Sequence, residues 1–344
     1  MKKDDVATKR RYFAAANGFT GFHNYFPAVF DSAEYRRIFV LKGGPGTGKS
    51  SLMKKVCAKF PDGAYRTEAI FCSSDPDSLD GVIVEGKGGR VAVLDGTAPH
   101  ERDAVIPGAV DEIVNLKDAW DTGALERRRA EIFSLTEEKA AHYRDAYRYL
   151  SAFGKTQKNS AAENEKCDLH AMREAIRSLI RHDAGEGFFC RCRLIRAFGC
   201  RGEVMLPTFS SLAARTYLLR GSTAHKARLL RETVGIFEEE NVPVTFAPSP
   251  FDPDVPDGIL AEAAGVALLS CGEDGILLDA DGFFDRRQEE RGGDTSLLTA
   301  AKESFLSASE SHFALEKIYT AAMDFSVIDR KTERIIERIA DTVG

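Results

Sequence analysis

One stretch of the chain combines a glycine-rich loop with a lysine and a serine, the residue types that bind a polyphosphate. Gly43 and Gly48 enclose four residues and are followed by Lys49 and Ser50, which is the spacing G-x-x-x-x-G-K-[ST] of a phosphate-binding loop. Glycines allow the backbone to approach phosphate closely, and amide N–H groups at a helix N-terminus attract it. The pattern predicts a nucleoside triphosphate as the ligand, with Lys49 at the β- and γ-phosphates and Ser50 on Mg²⁺. The predicted contacts are Gly43, Gly44, Pro45, Gly46, Thr47, Gly48, Lys49, Ser50 and Ser51.

The residues around this loop predict the elements that position it. The apolar run at residues 38–41 predicts a buried strand that ends at the loop, and residues 50–60 predict a short amphipathic helix that stops at Pro61. A strand before the motif and a helix after it are the context that a phosphate loop requires. A plain Gly-Pro turn between two elements is the alternative. We expect the aromatic residues within 1–35 to pack against the sheet edge or the nucleotide pocket.

A second apolar run supplies a carboxylate. Residues 91–94 are apolar and are followed by Asp95, which is typical of a Walker B strand whose acid holds the water shell of Mg²⁺ opposite Ser50. Gly96 follows at the position where many mechanical ATPases have a catalytic glutamate, so the motif offers no local general base. Residues 95–100 instead look similar to the Asp-Gly-x-Pro segment of small nucleotide kinases.

Three further residues are candidates for chemistry near Asp95. Asp75 and Asp80 lie in a polar loop after a predicted strand at residues 67–72, and ligands gather at such strand ends in open α/β sheets. The two acids either bind metal or activate a nucleophile, or they belong to an Asp-Pro turn with helix-capping acids. His100 either contacts phosphate or shuttles a proton, or it is a structural loop histidine. The predicted catalytic residues are Lys49, Asp95, Asp75, Asp80 and His100, with Ser50 and Asp95 as the metal ligands.

The second half of the chain repeats the first. Residues 75–83 match residues 252–260, which lie 177 positions later, and residues 39–43 parallel residues 217–221. Self-similarity at one displacement is the sequence signature of duplicated structural units. The chain is therefore predicted to contain two copies of one unit, each a small α/β core followed by helices.

The second copy lacks the residues that bind phosphate and metal. Its loop, residues 221–227, has neither the second glycine nor the Mg²⁺ hydroxyl, and Ser270 replaces the Walker B acid. The apolar run at 276–279 offers another such acid, but Asp281 and Gly282 favour a hairpin turn there. The sequence therefore predicts one nucleotide site per chain, with the second half as a scaffold, substrate platform or regulator.

These patterns together predict the fold class and the domain boundaries. We expect an α/β protein built from two tandem, mostly parallel, three-layer α/β/α halves. Glycine-poor stretches with apolar residues at three-to-four spacing predict a helical appendage after each half. The predicted domains are an active core at 1–122, a helical appendage at 123–185, a degenerate core at 186–296 and a C-terminal helical appendage at 297–344.

Composition narrows the class of partner. The chain has 344 residues, of which 43% are hydrophobic, and its net charge of -6 argues against broad binding to nucleic acid or to anionic membranes. With no apolar signal-peptide run and no stretch of about 20 apolar residues, we expect a soluble, cytoplasmic protein without a membrane partner. The odd number of cysteines, seven, indicates reduced thiols and not a framework of disulfides. The spacing of Cys190, Cys192 and Cys200 is not typical of a zinc site but leaves metal binding open.

Several segments resemble a family of uncharacterised bacterial ATP-binding proteins with tandem P-loop halves. The resemblance implies ATP binding and a P-loop NTPase fold, but no known reaction. The chain departs from the family pattern at residues 221–227, which disfavours a second ATP site. The segments that carry the resemblance are residues 42–54, 72–75, 78–83, 95–100, 146–150 and 322–325.

Three functions are consistent with these residues. The first is a Mg²⁺-dependent ATPase (a hydrolase) whose turnover switches the arrangement of the two halves, with a partner macromolecule still unknown. The second is a kinase that transfers phosphate to a nucleotide or another small molecule, which the Asp-Gly pair at Asp95 and the acids at Asp75 and Asp80 favour. The third is a nucleotide-sensing protein with little turnover. The sequence determines neither the acceptor nor the oligomeric state.

Overall fold

A computed structural model of the chain describes residues 6, 8–157, 166–180, 187–285 and 295–344, and within them the first half forms a six-stranded sheet and a small hairpin. Its strands are β1 Arg10–Phe13, β2 Ala15–Gly18, β3 Gly21–Asn24, β4 Arg37–Lys42, β5 Arg66–Phe71, β6 Leu79–Gly86, β7 Gly89–Asp95 and β8 Asp111–Asn115. Its helices are α1 Phe26–Val29, α2 Lys49–Lys59, α3 Thr122–Arg127, α4 Arg129–Thr156 and α5 Leu169–Arg177. The sheet order is β1-β5-β6-β7-β4-β8, with β2 and β3 forming the separate hairpin.

The second half builds the same kind of sheet. Its strands are β9 Cys190–Cys192, β10 Arg196–Gly199, β11 Gly202–Met205, β12 Arg215–Arg220, β13 Val244–Pro248, β14 Pro256–Ala261, β15 Val266–Leu269 and β16 Ile276–Asp279. Its helices are α6 Thr208–Leu212, α7 Thr223–Glu239, α8 Thr295–Ala321 and α9 Phe325–Val343. The sheet order is β9-β13-β14-β15-β12-β16, and each pair of neighbours has the same relative direction as its counterpart in the first sheet.

This shared topology agrees with the internal repeat and extends it. Both sheets are mixed but mostly parallel, and both carry a register shift at equivalent positions, after Ile70 and after Ala247. The hairpin β2–β3 with α1 has a counterpart in β10–β11 with α6, so residues 1–35 contain part of the repeated unit. The hairpin expected at Asp281 is wrong, because β16 runs parallel to β12 and a single turn of 3₁₀ helix follows it.

The two sheets share a buried core between them. The expected three-layer α/β/α arrangement of each half is therefore wrong, because one face of each sheet packs toward the other sheet. In β4, Phe39 and Leu41 face a cluster that contains α2 and α9, whereas Ile38 and Val40 face a cluster shared with β15 of the second sheet. This alternation follows from the two-residue period of a strand. The short helices α1 and α6 contribute to the shared cluster, and the outer face of the second sheet packs against α5 and α7.

The helices that end each repeat pack on the core of the other repeat. Helix α5 follows the first core yet contacts α7, and α9 follows the second core yet contacts α2 and β7. The long helices α4 and α8 pack against each other. The segment 297–344, expected to be an appendage of the second half, therefore lies partly on the first core. Among the described residues, none of the helices has both the length and the apolar composition that crossing a bilayer requires.

Candidate functional site

The glycine-rich loop connects a buried strand to a helix, as the motif predicts. It joins β4 to α2, which begins at Lys49. Gly46 and Gly48 have φ angles of 67° and 81°, a left-handed region that side chains rarely adopt. A Cβ atom on Gly43 would lie 2.8 Å from the Thr47 hydroxyl. The expectation that these glycines permit an unusual backbone is confirmed at Gly46 and Gly48.

Lys49 bridges the loop and the neighbouring strand. Its Nζ donates to the carbonyl oxygens of Gly43 at 2.6 Å and Gly44 at 2.9 Å, and lies 3.4 Å from Asp95 Oδ2. Asp95 is close because β7 is parallel to β4, with Leu41 opposite Asp95. The carboxyl ends of these two strands therefore meet at one edge of the sheet. The lysine side chain is largely buried, so water screens its attraction to Asp95 only weakly.

The two predicted metal ligands are both held in place by hydrogen bonds. Asp95 Oδ1 accepts from the Thr97 amide at 2.9 Å and from the Thr97 hydroxyl at 2.5 Å. The Ser50 hydroxyl oxygen accepts from the Leu79 amide at 3.0 Å, which leaves it a further lone pair. Magnesium is usually bound by one or two carboxylates together with substrate phosphates and water. Ser50 and Asp95 fit that limited requirement. Among the described residues, no three or more His, Cys, Asp or Glu are arranged so that they could hold a metal ion by themselves.

His100 and Asp80 form a buried pair behind Asp95. His100 Nδ1 lies 3.0 Å from the Asp95 carbonyl oxygen, and its Nε2 lies 3.4 Å from Asp80 Oδ2. The ring stacks on Phe26 with 4.3 Å between centroids. Both ring nitrogens are thus engaged within the protein, an arrangement that favours the structural role of His100 over phosphate contact or proton transfer.

The pair should make stability depend on pH. Burial lowers the pKa of His100, but Asp80 and the Asp95 carbonyl outweigh burial and raise it above the ordinary value of about 6.5. The resulting stabilisation is complete below the unfolded pKa and is lost as pH rises through the folded pKa. We expect the stability difference between wild type and His100→Gln, measured by urea unfolding, to be largest at pH 5.5 and to shrink by pH 8. A difference that stays constant over this range would contradict the pairing.

Asp75 belongs to a turn. Its carboxylate accepts from the Ser78 hydroxyl at 2.7 Å and from the Asp77 amide at 3.3 Å, and its carbonyl accepts from the Ser78 amide. The Asp-Pro turn, which was one of the two sequence interpretations, accounts for these contacts. Asp75 is therefore engaged locally, and a role in activating a nucleophile has no support in its hydrogen bonds.

The sequence did not predict that helix α8 would form one wall of the site. His312, Glu316 and Thr320 are spaced four residues apart and so lie on one helix face. The Thr320 hydroxyl is 3.4 Å from the Gly46 carbonyl oxygen, and a Cβ on Gly46 would lie 2.7 Å from the Glu316 carbonyl oxygen. The four-residue spacing of polar residues was the available signal, but nothing in it indicated the loop as the target.

The pKa values of both His312 and Glu316 are shifted from their ordinary values. Burial raises the pKa of the Glu316 carboxyl, and the Gly46 amide, which donates to it, opposes that rise. Burial, together with Lys139 of α4 and Lys49, lowers the pKa of His312 to about 4. His312 is therefore neutral at pH 7, and its Nε2 lies 3.7 Å from Glu316 Oε1. The helix face that contacts the loop therefore carries a carboxylate, with a neutral imidazole one turn earlier.

The equivalent loop of the second repeat is occupied by its own carboxylate. Asp281 Oδ1 accepts from the Ser222 amide at 2.9 Å and lies 2.7 Å from His225 Nδ1. The buried His225 ring stacks on Phe284 with 3.8 Å between centroids. Lys226 Nζ donates to the Ser270 carbonyl at 3.2 Å. The helix N-terminus of the second repeat is thus already paired with the Asp281 carboxylate. The number of nucleotide sites stays a prediction.

The remaining candidates and the comparisons add no further site. All seven cysteines have free thiols, and Cys190, Cys192 and Cys200 do not belong to any metal-ligand cluster among the described residues. Comparison of the chain with protein-family models, with curated proteins and with solved structures finds no significant match. The functional assignment therefore depends on the geometry of the chain's own residues.

Proposed function

We propose that this chain is a P-loop NTPase that binds ATP with Mg²⁺ at residues 43–51 and hydrolyses it. The observation that carries the proposal is the position of Lys49, held between the loop carbonyls and Asp95 at the point where two parallel strands end. A glycine loop in left-handed conformation, leading into a helix N-terminus, supplies the amides that bind phosphate. Membership in the ATP-binding family that the sequence resembles stays a prediction.

Each residue has a defined task in this proposal. The loop amides and Lys49 would hold the β- and γ-phosphates and stabilise the charge that develops on them. Ser50 and Asp95 would hold Mg²⁺, which supplies charge neutralisation between the two phosphates. Thr97 keeps the Asp95 carboxylate in one orientation through its two hydrogen bonds. Gly96 supplies no carboxylate, so the attacking water must be oriented by another element.

The packing of the C-terminal helices supports a coupling between ATP and the arrangement of the repeats. Helix α8 contacts the loop at Gly46, and Phe325 and Ile328 of α9 lie near Gly48. Both helices follow the second core in the chain. A change in the loop on hydrolysis would therefore act directly on elements of the second repeat, which would serve as a scaffold or regulator.

A kinase and a nucleotide sensor are the alternatives. The acids that favoured a kinase are engaged elsewhere, Asp75 within a turn and Asp80 with His100. This engagement removes the main support for a phosphotransferase and favours hydrolysis. A sensor would use the same loop but would retain ATP without turnover.

One experiment separates the three. Binding of a fluorescent ATP analogue is measured with Mg²⁺ and with EDTA, and ADP release is followed with and without a panel of nucleosides and nucleotides. We expect Mg²⁺-dependent binding and ADP release that needs no acceptor. Release only with an acceptor would indicate a kinase, and binding without release would indicate a sensor. Absence of nucleotide binding would refute all three.

A further inference from the structure

We propose that Glu316, on the helix that follows the second core, is the general base that takes the proton from the attacking water. This inference rests on the proposed ATPase activity. It assigns the group that the Walker B strand does not supply, since Gly96 stands where a glutamate is often found. The base then comes from a helix of the other repeat.

The position of Glu316 is the first support. Helix α8 packs so closely on the loop that a methyl group on Gly46 would meet the Glu316 backbone. Glu316 lies one turn before Thr320, whose hydroxyl is 3.4 Å from the Gly46 carbonyl oxygen, so it is on the helix face that meets the proposed phosphate loop. The Gly46 amide also favours the charged form of the Glu316 carboxyl and so lowers its pKa. A triphosphate held by the loop amides would therefore lie beside the face of α8 that carries Glu316.

The state of the neighbouring acids is the second support. Asp95 is engaged by Lys49 and Thr97, Asp80 by His100, and Asp75 by its own turn. The side chain of Glu316 is about one-third exposed, at 37%, which leaves it open to water. Burial raises its pKa, as is common for a general base, and the neighbouring His312 is neutral at pH 7 and does not compete as an acid.

In the proposed step, every bond, electron pair and proton is accounted for by ATP, water and the named residues. The water oxygen forms a bond to the γ-phosphorus, and its proton passes to the Glu316 carboxylate. The bond from the γ-phosphorus to the β,γ-bridging oxygen breaks, and its electron pair stays with ADP. Lys49 stabilises the charge on the phosphates, and Glu316 later releases the proton to solvent. No oxidant or further reactant is required.

Glu316→Gln keeps the shape of the side chain and removes its basicity. We expect kcat for ATP hydrolysis to fall by a factor of about 100 or more, since general bases contribute 10²–10⁴-fold. The thermal midpoint should stay at the wild-type value, and the Kd for the fluorescent ATP analogue should not rise, because the change removes a negative charge beside the phosphates. Glu310→Gln, an exposed change on the same helix, is the matched control and should hydrolyse ATP normally.

Each other outcome counts against the base role. An unchanged kcat in Glu316→Gln would overturn it. Tighter nucleotide binding with unchanged kcat would show that Glu316 only competes with phosphate, and loss of binding would show a role in holding the nucleotide. If wild type itself binds no nucleotide, or binds it without turnover, the proposed ATPase fails first. The two failures are therefore distinguishable. Wild type still hydrolyses ATP if only the role of Glu316 is wrong, and it does not if the proposed ATPase activity is wrong.

Discussion

Lys49→Ala should strongly weaken nucleotide binding and stop ATP hydrolysis. The Lys49 ammonium is the cation held closest to the loop carbonyls and to Asp95. Charge-assisted hydrogen bonds contribute about 1.5–3 kcal/mol each, and 1.4 kcal/mol corresponds to a factor of ten in affinity. With contacts to two phosphates lost, we expect the Kd for an ATP analogue to rise by a factor on the order of 100, and ADP release to disappear. Titration with the fluorescent analogue in Mg²⁺ measures the change.

Lys226→Ala is the matched control, because the 177-residue displacement of the repeat carries Lys49 onto Lys226, which lies in the first turn of α7. Its ammonium donates to the Ser270 carbonyl, and Asp281 already occupies the adjacent helix N-terminus. We expect this variant to bind and hydrolyse ATP like wild type. Loss of nucleotide binding in Lys226→Ala alone would place the working site in the second repeat and contradict the assignment. Circular dichroism of both variants checks that the fold is intact.

The sequence predicted the parts of the site that are formed by residues close together in the chain. The strand, the loop and the helix around Gly43 and Lys49 follow from one continuous pattern, and the structure confirms all three elements. The position of Asp95 followed from the apolar run before it, because parallel strands with adjacent carboxyl ends bring such an acid to the loop. The repeat likewise predicted a second α/β core, and in the structure the two sheets have the same strand order.

The parts that the sequence did not predict depend on packing between distant segments. Glu316 reaches Gly46 only because α8 and α9 fold back onto the first core, and no local pattern encodes that choice of surface. His100 was equally suited by sequence to a catalytic or a structural role. Its stacking on Phe26 and its contact with Asp80, both set by tertiary structure, favour the structural one.

A buried ion pair between the repeats gives the second large effect. Arg193, just after β9, donates from Nε to Glu68 Oε2 of β5 at 2.8 Å, and each side chain is only 3% exposed. Burial would raise the pKa of Glu68, but Arg193, Arg90 and Arg66 together lower it to about 2. Its stabilising contribution is therefore present above the unfolded pKa of about 4.3 and is lost as pH falls through about 2.

Arg193→Met should lower the free energy of unfolding by about 3–5 kcal/mol, because it leaves a buried carboxylate without its main partner. Combining it with Glu68→Leu removes the remaining charge, and we expect the double variant to recover most of the loss. Arg148→Ala breaks the exposed pair with Asp145 and serves as the control, with a cost below about 1 kcal/mol. Urea unfolding of wild type and of these three variants measures the differences. If Arg193→Met cost no more than the control, the pair would not hold the two sheets together. A double variant as unstable as the single one would instead show that Arg193 acts through packing and not through its charge.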